Sequence, residues 1–251
     1  MLIPGGFDWY EVFYPTTNLL LNGRSPYDGP GFYSPVWALL PFLPLAFLPA
    51  SIGRSILFII SLLAFTYSAR KLGAGPWMIA AFLLSPPVVF SLWLASNDWM
   101  PLLGFVLPPQ MGLFFVLSKP QMGVAVALFW LVEAWRDGGV KKIIRVFAPV
   151  TLAFLLTIVI YGLWPLKTRD LIIAEHNTSF WPASIPVALG LLIASIRKRD
   201  LNYSIVASPC LSPYLMFPSW SGALAALLST PPEAIAAIIG TWILVIIQAY
   251  S

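Results

Sequence analysis

Apolar residues fill this chain in long runs, at roughly positions 33–49, 52–69, 76–95, 99–118, 120–135, 143–164, 183–196, 202–228 (interrupted) and 233–250. The runs are apolar all round rather than on one face, which at these lengths predicts helices that satisfy their own backbone groups within lipid. Prolines modify that prediction in two places. Pro108 and Pro109 halve the run at 99–118 into a hairpin of two short helices, and Pro35, Pro41, Pro44 and Pro49 disfavour an uninterrupted first helix, so that this run dips into the bilayer and returns. Residues 6–32 read as an external juxtamembrane segment and 33–251 as a helical bundle, together one transmembrane domain over 1–251. The expected fold class is all-α: a polytopic membrane helical bundle with short in-plane helices in its first external segment and several proline-broken helices.

Composition agrees. Hydrophobic residues make up 59% of the chain and charged residues 10%, against about 45–50% and about 25% in soluble domains. The 251 residues hold one polytopic domain, of about seven to ten spans at roughly 20 residues each, and leave no room for a separate soluble one. The opening "MLIPGGFDWY" has neither a basic stretch nor an apolar core, so it is not a signal peptide.

Charge supplies orientation. The net charge of +4 comes from basic residues clustered in short loops, a pattern of membrane sidedness and not of nucleic-acid binding. The strongest loops, "WRDGGVKKIIR" (135–145) and "RKRD" (197–200), are separated by two spans and are placed in the cytoplasm. With the two proline breaks counted, Arg70 and Lys71 join them, while Arg24, Arg54, Lys119, Lys167 and Arg169 fall outside. The acids sort accordingly: Glu133, Asp137, Asp200 and Glu233 inside; Asp8, Glu11, Asp28, Asp98, Asp170 and Glu175 outside. None falls at mid-membrane.

The external opening, "GFDWYEVFYPTTNLLLNGRSPYD" (6–28), combines interfacial aromatics with two acids, an arginine and a turn. Asp8 is placed to cap a short helix running to Tyr14, Pro15 to open a second helix that ends near Asn22 and Gly23, and "RSPYDGPG" (24–31) to turn the chain. On this reading alone Asp8 is a helix cap and Arg24 a lipid-headgroup contact.

The same ribbon, followed by "FYSPVWALLPFLPLAFLP", resembles the start of the GT-C superfamily of integral membrane glycosyltransferases, closest to glycosyltransferase family 87, the polyprenyl-phosphomannose-dependent mannosyltransferase group. There an Asp precedes an aromatic, a Gly-x-x-Pro-Tyr turn and a proline-rich helix. "SND" (96–98), "SKPQ" (118–121) and "ASPCLSPY" (207–214) extend the resemblance in order along the chain. It implies a GT-C-like bundle in a prokaryotic cytoplasmic (inner) membrane, with an external active site that moves a mannose-like hexose from a polyprenyl-phosphate donor to a lipid or glycan acceptor, with inversion. It also implies Asp8 as the catalytic aspartate and Arg24 and Tyr27 as substrate contacts in the turn.

Such chemistry needs an external base, a cation near the departing phosphate and an apolar groove for the isoprenoid tail. Asp8 is the first choice of base and Asp98 the second, its plainer reading being a helix cap in "SND". Lys119, between apolar segments, is either a snorkelling headgroup contact or a phosphate ligand. Gln121 is a candidate for a sugar hydroxyl. The loop 165–182 holds Lys167, Arg169, Glu175 and the single histidine, His176, assigned to acceptor or phosphate binding; its "NTS" at 177–179 fits a glycosylation tripeptide but carries little weight. One histidine and one cysteine, Cys210, build no zinc site, and phosphate-binding or dinucleotide glycine motifs are missing, so neither metal nor cofactor is expected. Two competing readings stand beside the transferase. A non-enzymatic transporter or scaffold is weakened by the lack of mid-bilayer acids and of an internal repeat. A truncated, inactive relative is suggested by the chain's shortness and by the lack of the membrane helix that usually precedes the family's aspartate.

Overall fold

The computed structural model describes residues 4–29, 31–166 and 176–250. Lys167, Arg169, Asp170 and Glu175, assigned to the external loop, lie outside the described residues. Those described are helical or irregular, with no strand among them.

The opening ribbon folds as one continuous helix, α1, whose first turns (Asp8–Phe13) are π-helical and whose remainder (Tyr14–Leu21) is α-helical. The expected pair of helices, with Asp8 as cap and Pro15 as a fresh start, is thereby corrected. Asp8 lies inside the first turn, and no side chain caps that end. Pro15 has no N–H for the carbonyl four residues back, and its ring crowds that carbonyl. The preceding turns widen, so that the Tyr14 N–H reaches the Trp9 carbonyl, and the helix continues. It ends at Asn22, with Gly23 at φ +69°, as the sequence predicts. Ser25 then accepts a hydrogen bond from the Tyr27 N–H and opens the 3₁₀ turn Pro26–Asp28.

Aromatic packing fixes this ledge to the bundle. Trp9 is wholly buried, and its indole N–H donates to the Ala50 carbonyl at 2.7 Å. Phe13 stacks on Phe42 at 4.7 Å, and Tyr27 on Trp164 at 5.1 Å. Beneath Trp9 runs α2 (Ala50–Lys71), which can approach because position 53 is glycine: a Cβ there would lie 2.6 Å from the indole and 3.0 Å from the Leu45 carbonyl. Arg54, one turn into α2, lies 5.9 Å from the Tyr10 ring. Arg70 and Lys71 close the same helix, roughly 25 Å from Arg54 at 1.5 Å per residue.

The proline-rich first run is broken, as expected, into a 3₁₀ stretch (Val36–Phe42) and one α-turn (Leu43–Ala46). The run at 76–95 is also broken, which its apolar pattern did not reveal. It forms α3 (Pro76–Leu83) and α4 (Pro86–Leu94), bent by 58°, because Ser85 precedes a proline and is pushed to extended geometry, φ −69° and ψ 145°. The predicted hairpin is present as α5 (Trp99–Phe105) and α6 (Pro109–Val116). These two pack glycine to glycine: a Cβ on Gly112 would sit 2.6 Å from the Gly104 carbonyl.

Helix α7 (Pro120–Tyr161) leaves helical geometry at Gly138 and Gly139, the latter at φ +59°. Its two ends both meet the ledge: Lys119, just before it, acts electrostatically on Asp8, and Tyr161 packs edge-on to Tyr27. A straight helix of 42 residues would hold those ends roughly 60 Å apart, so the glycine pair reverses the chain and α7 is two arms. At the reversal, the Arg136 guanidinium donates to Glu133 and to the Ile196 carbonyl, and Arg199 lies 3.7 Å from Glu133. The end of α8 (Ile185–Lys198) is thus brought to the turn in α7, and the two basic loops share one end of the bundle. Helices α9 (Leu201–Cys210), α10 (Ser221–Ala225) and α11 (Pro231–Tyr250) complete the chain.

Among the described residues two helices, α2 and α7, are long and apolar enough to cross a membrane, or three if the bent pair α3 and α4 is one span. The outward faces of these two and of the shorter α11 are apolar, with Phe58, Ile59 and Leu63 exposed on α2, Leu155, Leu156 and Val159 on α7 and Ile243, Ile246 and Ile247 on α11. Faces of this kind need lipid, and the chain is membrane-associated.

Gly53→Ala should lower the melting temperature of detergent-purified protein, as expected for roughly 1–3 kcal/mol of overpacking. Gly190→Ala, at a helical position with open space around it, should leave stability unchanged or raise it by up to about 1 kcal/mol.

Candidate functional site

The centre of the site is built by a reversal after α4. Ala95 adopts left-handed geometry, φ +56°, and the Ser96 N–H donates back to the Ser91 carbonyl, which tucks Ser96, Asn97 and Asp98 under the bundle. A β-carbon in that conformation costs about 1 kcal/mol, offset by what the turn delivers. Asp98 is fully buried, yet every side of its carboxylate is occupied. Oδ1 accepts from the Lys119 ammonium at 2.7 Å and from the Ser219 hydroxyl at 2.8 Å; Oδ2 accepts from Ser91 at 3.3 Å and from Ser96. The cap reading of "SND" is not realised, since Asp98 holds the cap position of α5 without a capping hydrogen bond. Burial pushes the Asp98 carboxyl up, but the Lys119 charge and hydrogen bond, with the Ser96 and Ser219 hydroxyls, outweigh it and hold the group below the usual carboxylate range.

Asp8 differs in every respect. It is half-buried, and its carboxylate makes no hydrogen bond or salt bridge among the described residues. Burial pushes it up to about 6; the Lys119 charge lowers it and the Asp98 charge raises it. Asp8, Asp98 and Lys119 therefore share one electrostatic neighbourhood, although 90 residues separate the two acids in the chain. Lys119 neutralises Asp98, which leaves Asp8 as the uncompensated charge. A half-buried carboxylate that is unpaired and titrates near neutrality is suited to taking a proton.

The segment 212–219 reaches the ion pair through the Ser219 hydroxyl. Asn177 donates to the Pro213 carbonyl at 2.9 Å and its amide oxygen accepts from the Leu215 N–H; the Thr178 N–H donates to the Leu215 carbonyl, and the Ser179 hydroxyl to that of Ser212. The "NTS" tripeptide thus straps one loop to another. Tyr214, between the tied positions, is half-buried, and its phenol is pushed up to about 12 by burial, then by Asp8, Tyr33 and Asp98.

The remaining sequence candidates are dispersed. Gln121 is half-buried two residues after Lys119, in the first turn of α7. Arg24 is exposed in the turn, and its side chain forms no ion pair among the described residues. Tyr27 faces inward: it stacks on Trp164 and donates to the Ser34 carbonyl at 3.1 Å, which stiffens the turn. His176 is exposed next to the strap. Sequence reasoning gave no role to Tyr33, Ser91, Ser96, Tyr214 or Ser219, although Ser96 and Tyr214 stand in the "SND" and "ASPCLSPY" stretches. The available signal was the set of serines standing in "VVFSLWLASND" and "FPSWSG", where an apolar run has no packing use for a hydroxyl. Asn97 Nδ2, Trp99 Nε1 and Ser221 Oγ, near Asp98 or Ser219 in the chain, are buried with no hydrogen-bond partner among the described residues.

Lys119→Met should destabilise the protein by roughly 3–5 kcal/mol in thermal or chemical unfolding, because Asp98 loses its buried counter-charge, and adding Asp98→Asn should recover most of that loss. Asp8→Asn should do the opposite. A carboxyl raised from 3.8 to about 6 on folding binds its proton more tightly in the folded state, so stability is highest below pH 3.8 and falls as pH rises through about 6, by roughly 3 kcal/mol in all. The amide has no such cost. Its melting temperature should exceed that of the wild type at pH 7.5, and the gap should close at pH 4.

Comparison of the chain with protein-family models, with curated proteins and with solved structures returns no match.

Proposed function

We propose that the protein is an inverting membrane glycosyltransferase that moves a mannose-like hexose from a polyprenyl-phosphate donor to a lipid or glycan acceptor at the external face of a prokaryotic cytoplasmic membrane. The observation that carries this reading is the pairing of an unoccupied carboxylate, Asp8, titrating near 6, with a fixed cation, Lys119, beside it. The resemblance of the opening ribbon and its Gly-x-x-Pro-Tyr turn to GT-C enzymes supplies the reaction class.

In that reaction Asp8 accepts the proton of the acceptor hydroxyl as its oxygen forms a bond to the anomeric carbon. The bond from that carbon to the phosphate oxygen breaks, and its electron pair leaves with the phosphate. Lys119 has two N–H groups beyond the one given to Asp98, and they supply charge-assisted hydrogen bonds to the departing oxygen. Asp98 is a positioning residue: it holds the ammonium at the site and keeps it charged. The unpartnered donors of Asn97 and Trp99 leave hydrogen-bonding capacity nearby for a polar ligand.

Sidedness supports the same reading. Both basic loops lie at the reversal of α7, and Lys119 lies at the far end of that helix's first arm, roughly 26 Å away for 17 helical residues between Lys119 and Arg136. That is close to the thickness of a bilayer core, which fits the proposed arrangement of a cytoplasmic basic end and a site at the external interface.

The test is sugar transfer by purified protein in lipid nanodiscs from polyprenyl-phosphate hexoses. Wild type should show turnover with an acid limb near pH 6, and Asp8→Asn should lose about 10²–10⁴-fold in kcat. Undiminished turnover in the variant, or none with any polyprenyl-phosphate sugar, would reject the assignment.

A further inference from the structure

Arg54 is built into the outer surface without a counter-charge. It is half-buried near the start of α2, and its guanidinium forms no hydrogen bond or ion pair among the described residues. Asp8 and Glu11, the acids of the neighbouring α1, are not paired with it, and the cation that acts on Asp8 is Lys119. Its position is nevertheless closely set. A Cβ on Gly5 would lie 3.1 Å from Arg54 Nη2 and 3.2 Å from the Trp93 indole, and one on Gly6 would lie 2.6 Å from Arg54 Nε and 3.0 Å from the Tyr10 ring. Gly6 is left-handed, at φ +79°, and its N–H donates to the Trp93 carbonyl at 2.6 Å, which ties the glycine pair to the end of α4. The Tyr10 ring, 5.9 Å from the guanidinium carbon, is within cation–π range. A side chain at Gly6 would push the arginine aside.

Packing at this place requires no charge, and a guanidinium without an anion leaves its hydrogen-bonding capacity unused. The surroundings narrow what fills it. Phe7, Tyr10 and Trp93 are exposed around Arg54, aromatics of the kind that sit at headgroup level. One helical turn farther into the bundle, Phe58 is exposed on the Arg54 face of α2 and Val89 on the Trp93 face of α4. A cation at the top of two descending apolar tracks matches an amphiphile, with its phosphate at the guanidinium and its acyl chains along the tracks. Charge then chooses among phospholipids. A zwitterionic headgroup brings a second cation to an already positive spot, whereas an anionic one brings only the phosphate charge.

We infer that Arg54, seated against Gly5, Gly6, Tyr10 and Trp93, binds the phosphodiester of an anionic phospholipid in the leaflet at the ion-pair end of the bundle, with the acyl chains lying along Phe58 and Val89. The planar fork of the guanidinium suits two phosphate oxygens at once. The site is separate from the one proposed for the donor phosphate, whose cation is Lys119, and it stands whether or not the protein transfers sugar.

The experiment footprints arginines with phenylglyoxal in nanodiscs of phosphatidylcholine, alone or mixed with phosphatidylglycerol of the same chains, and reads each guanidinium by peptide mass spectrometry. Arg24, exposed in the turn after α1, is the internal reference. Relative to Arg24, Arg54 should be modified about five- to tenfold more slowly when phosphatidylglycerol is present. Phosphatidylethanolamine, or millimolar glycerol 1-phosphate added to phosphatidylcholine nanodiscs, should give no such protection. Native mass spectrometry provides a second arm, in which Arg54→Gln should bind phosphatidylglycerol about five- to tenfold more weakly than wild type. Should that variant melt far below the wild type, the wild-type footprint decides alone. Equal modification of Arg54 with and without phosphatidylglycerol, equal protection by phosphatidylethanolamine or by glycerol 1-phosphate, or unweakened binding by a folded Arg54→Gln overturns the inference. Sugar transfer measured on the same nanodiscs separates the two readings: protection of Arg54 without transfer keeps this site and removes the transferase, and transfer with Arg54 unprotected does the reverse.

Discussion

The structure turns on one buried ion pair. Asp98 has no access to water, and a lone carboxylate there would cost several kcal/mol. Its compensation is drawn from four places along the chain: Ser91 at the end of α4, Ser96 in the left-handed reversal, Lys119 at the start of α7, and Ser219 in the 3₁₀ turn Phe217–Trp220. Each lies on a short helix or next to one, and none could reach the carboxylate from an uninterrupted span. The broken helices and the ion pair are therefore one feature. Prolines and glycines shorten the helices, the shortened ends converge, and their polar groups are stable in an apolar bundle because they meet each other.

The contrast between the two acids follows from the same constraint. Asp98 spends its hydrogen-bonding capacity on the fold and stays ionised, with nothing left to accept a proton. Asp8 stands beside the same lysine without a partner, and burial raises its affinity for protons. The fold bears the cost of ionising Asp8 and recovers nothing from it structurally. Asp8 thus destabilises the folded state and is nevertheless held in place by Trp9, Phe13 and a π-helical turn, the kind of perturbed carboxyl that makes a candidate for chemistry.

Much of the architecture was legible in the apolar runs and their breakers. The halved run at 99–118, the broken first run and the meeting of the two basic loops follow from prolines and charge in the sequence. Local rules failed where a neighbour in space decided the outcome. Asp8 and Asp98 both looked like helix caps, and neither makes a cap bond, because a lysine and three hydroxyls from other segments claim Asp98 while Asp8 lies one residue inside its helix. Tyr27 sits in a motif-like turn but faces Trp164, a pairing across more than a hundred residues that no periodicity signals. Tyr214 was hidden for the opposite reason: its placement depends on Asn177, Thr178 and Ser179, a tripeptide whose only sequence-level meaning was a glycosylation signal. Pro86 and Pro87 did carry the break between α3 and α4, masked by the continuous hydrophobicity on either side.

The site lies at an end of the bundle for a reason that concerns solvent. Helix α7 begins at the lysine of the ion pair and reverses at the basic loops, so the polar cluster and the arginine-rich turn are held about one bilayer core apart. Asp8 stands between two surroundings. The buried aromatics behind it exclude water and raise its pKa, while the exposed faces of Phe7 and Tyr10 on the same helix are suited to the boundary between headgroups and acyl chains. A carboxylate in the bilayer centre would stay protonated, and one in bulk water would ionise near pH 4; neither would change state near neutrality. Partial burial beside solvent is what moves such a group toward neutrality, and the π-helical turns that carry the chain through Pro15 keep the ledge that provides it a single piece.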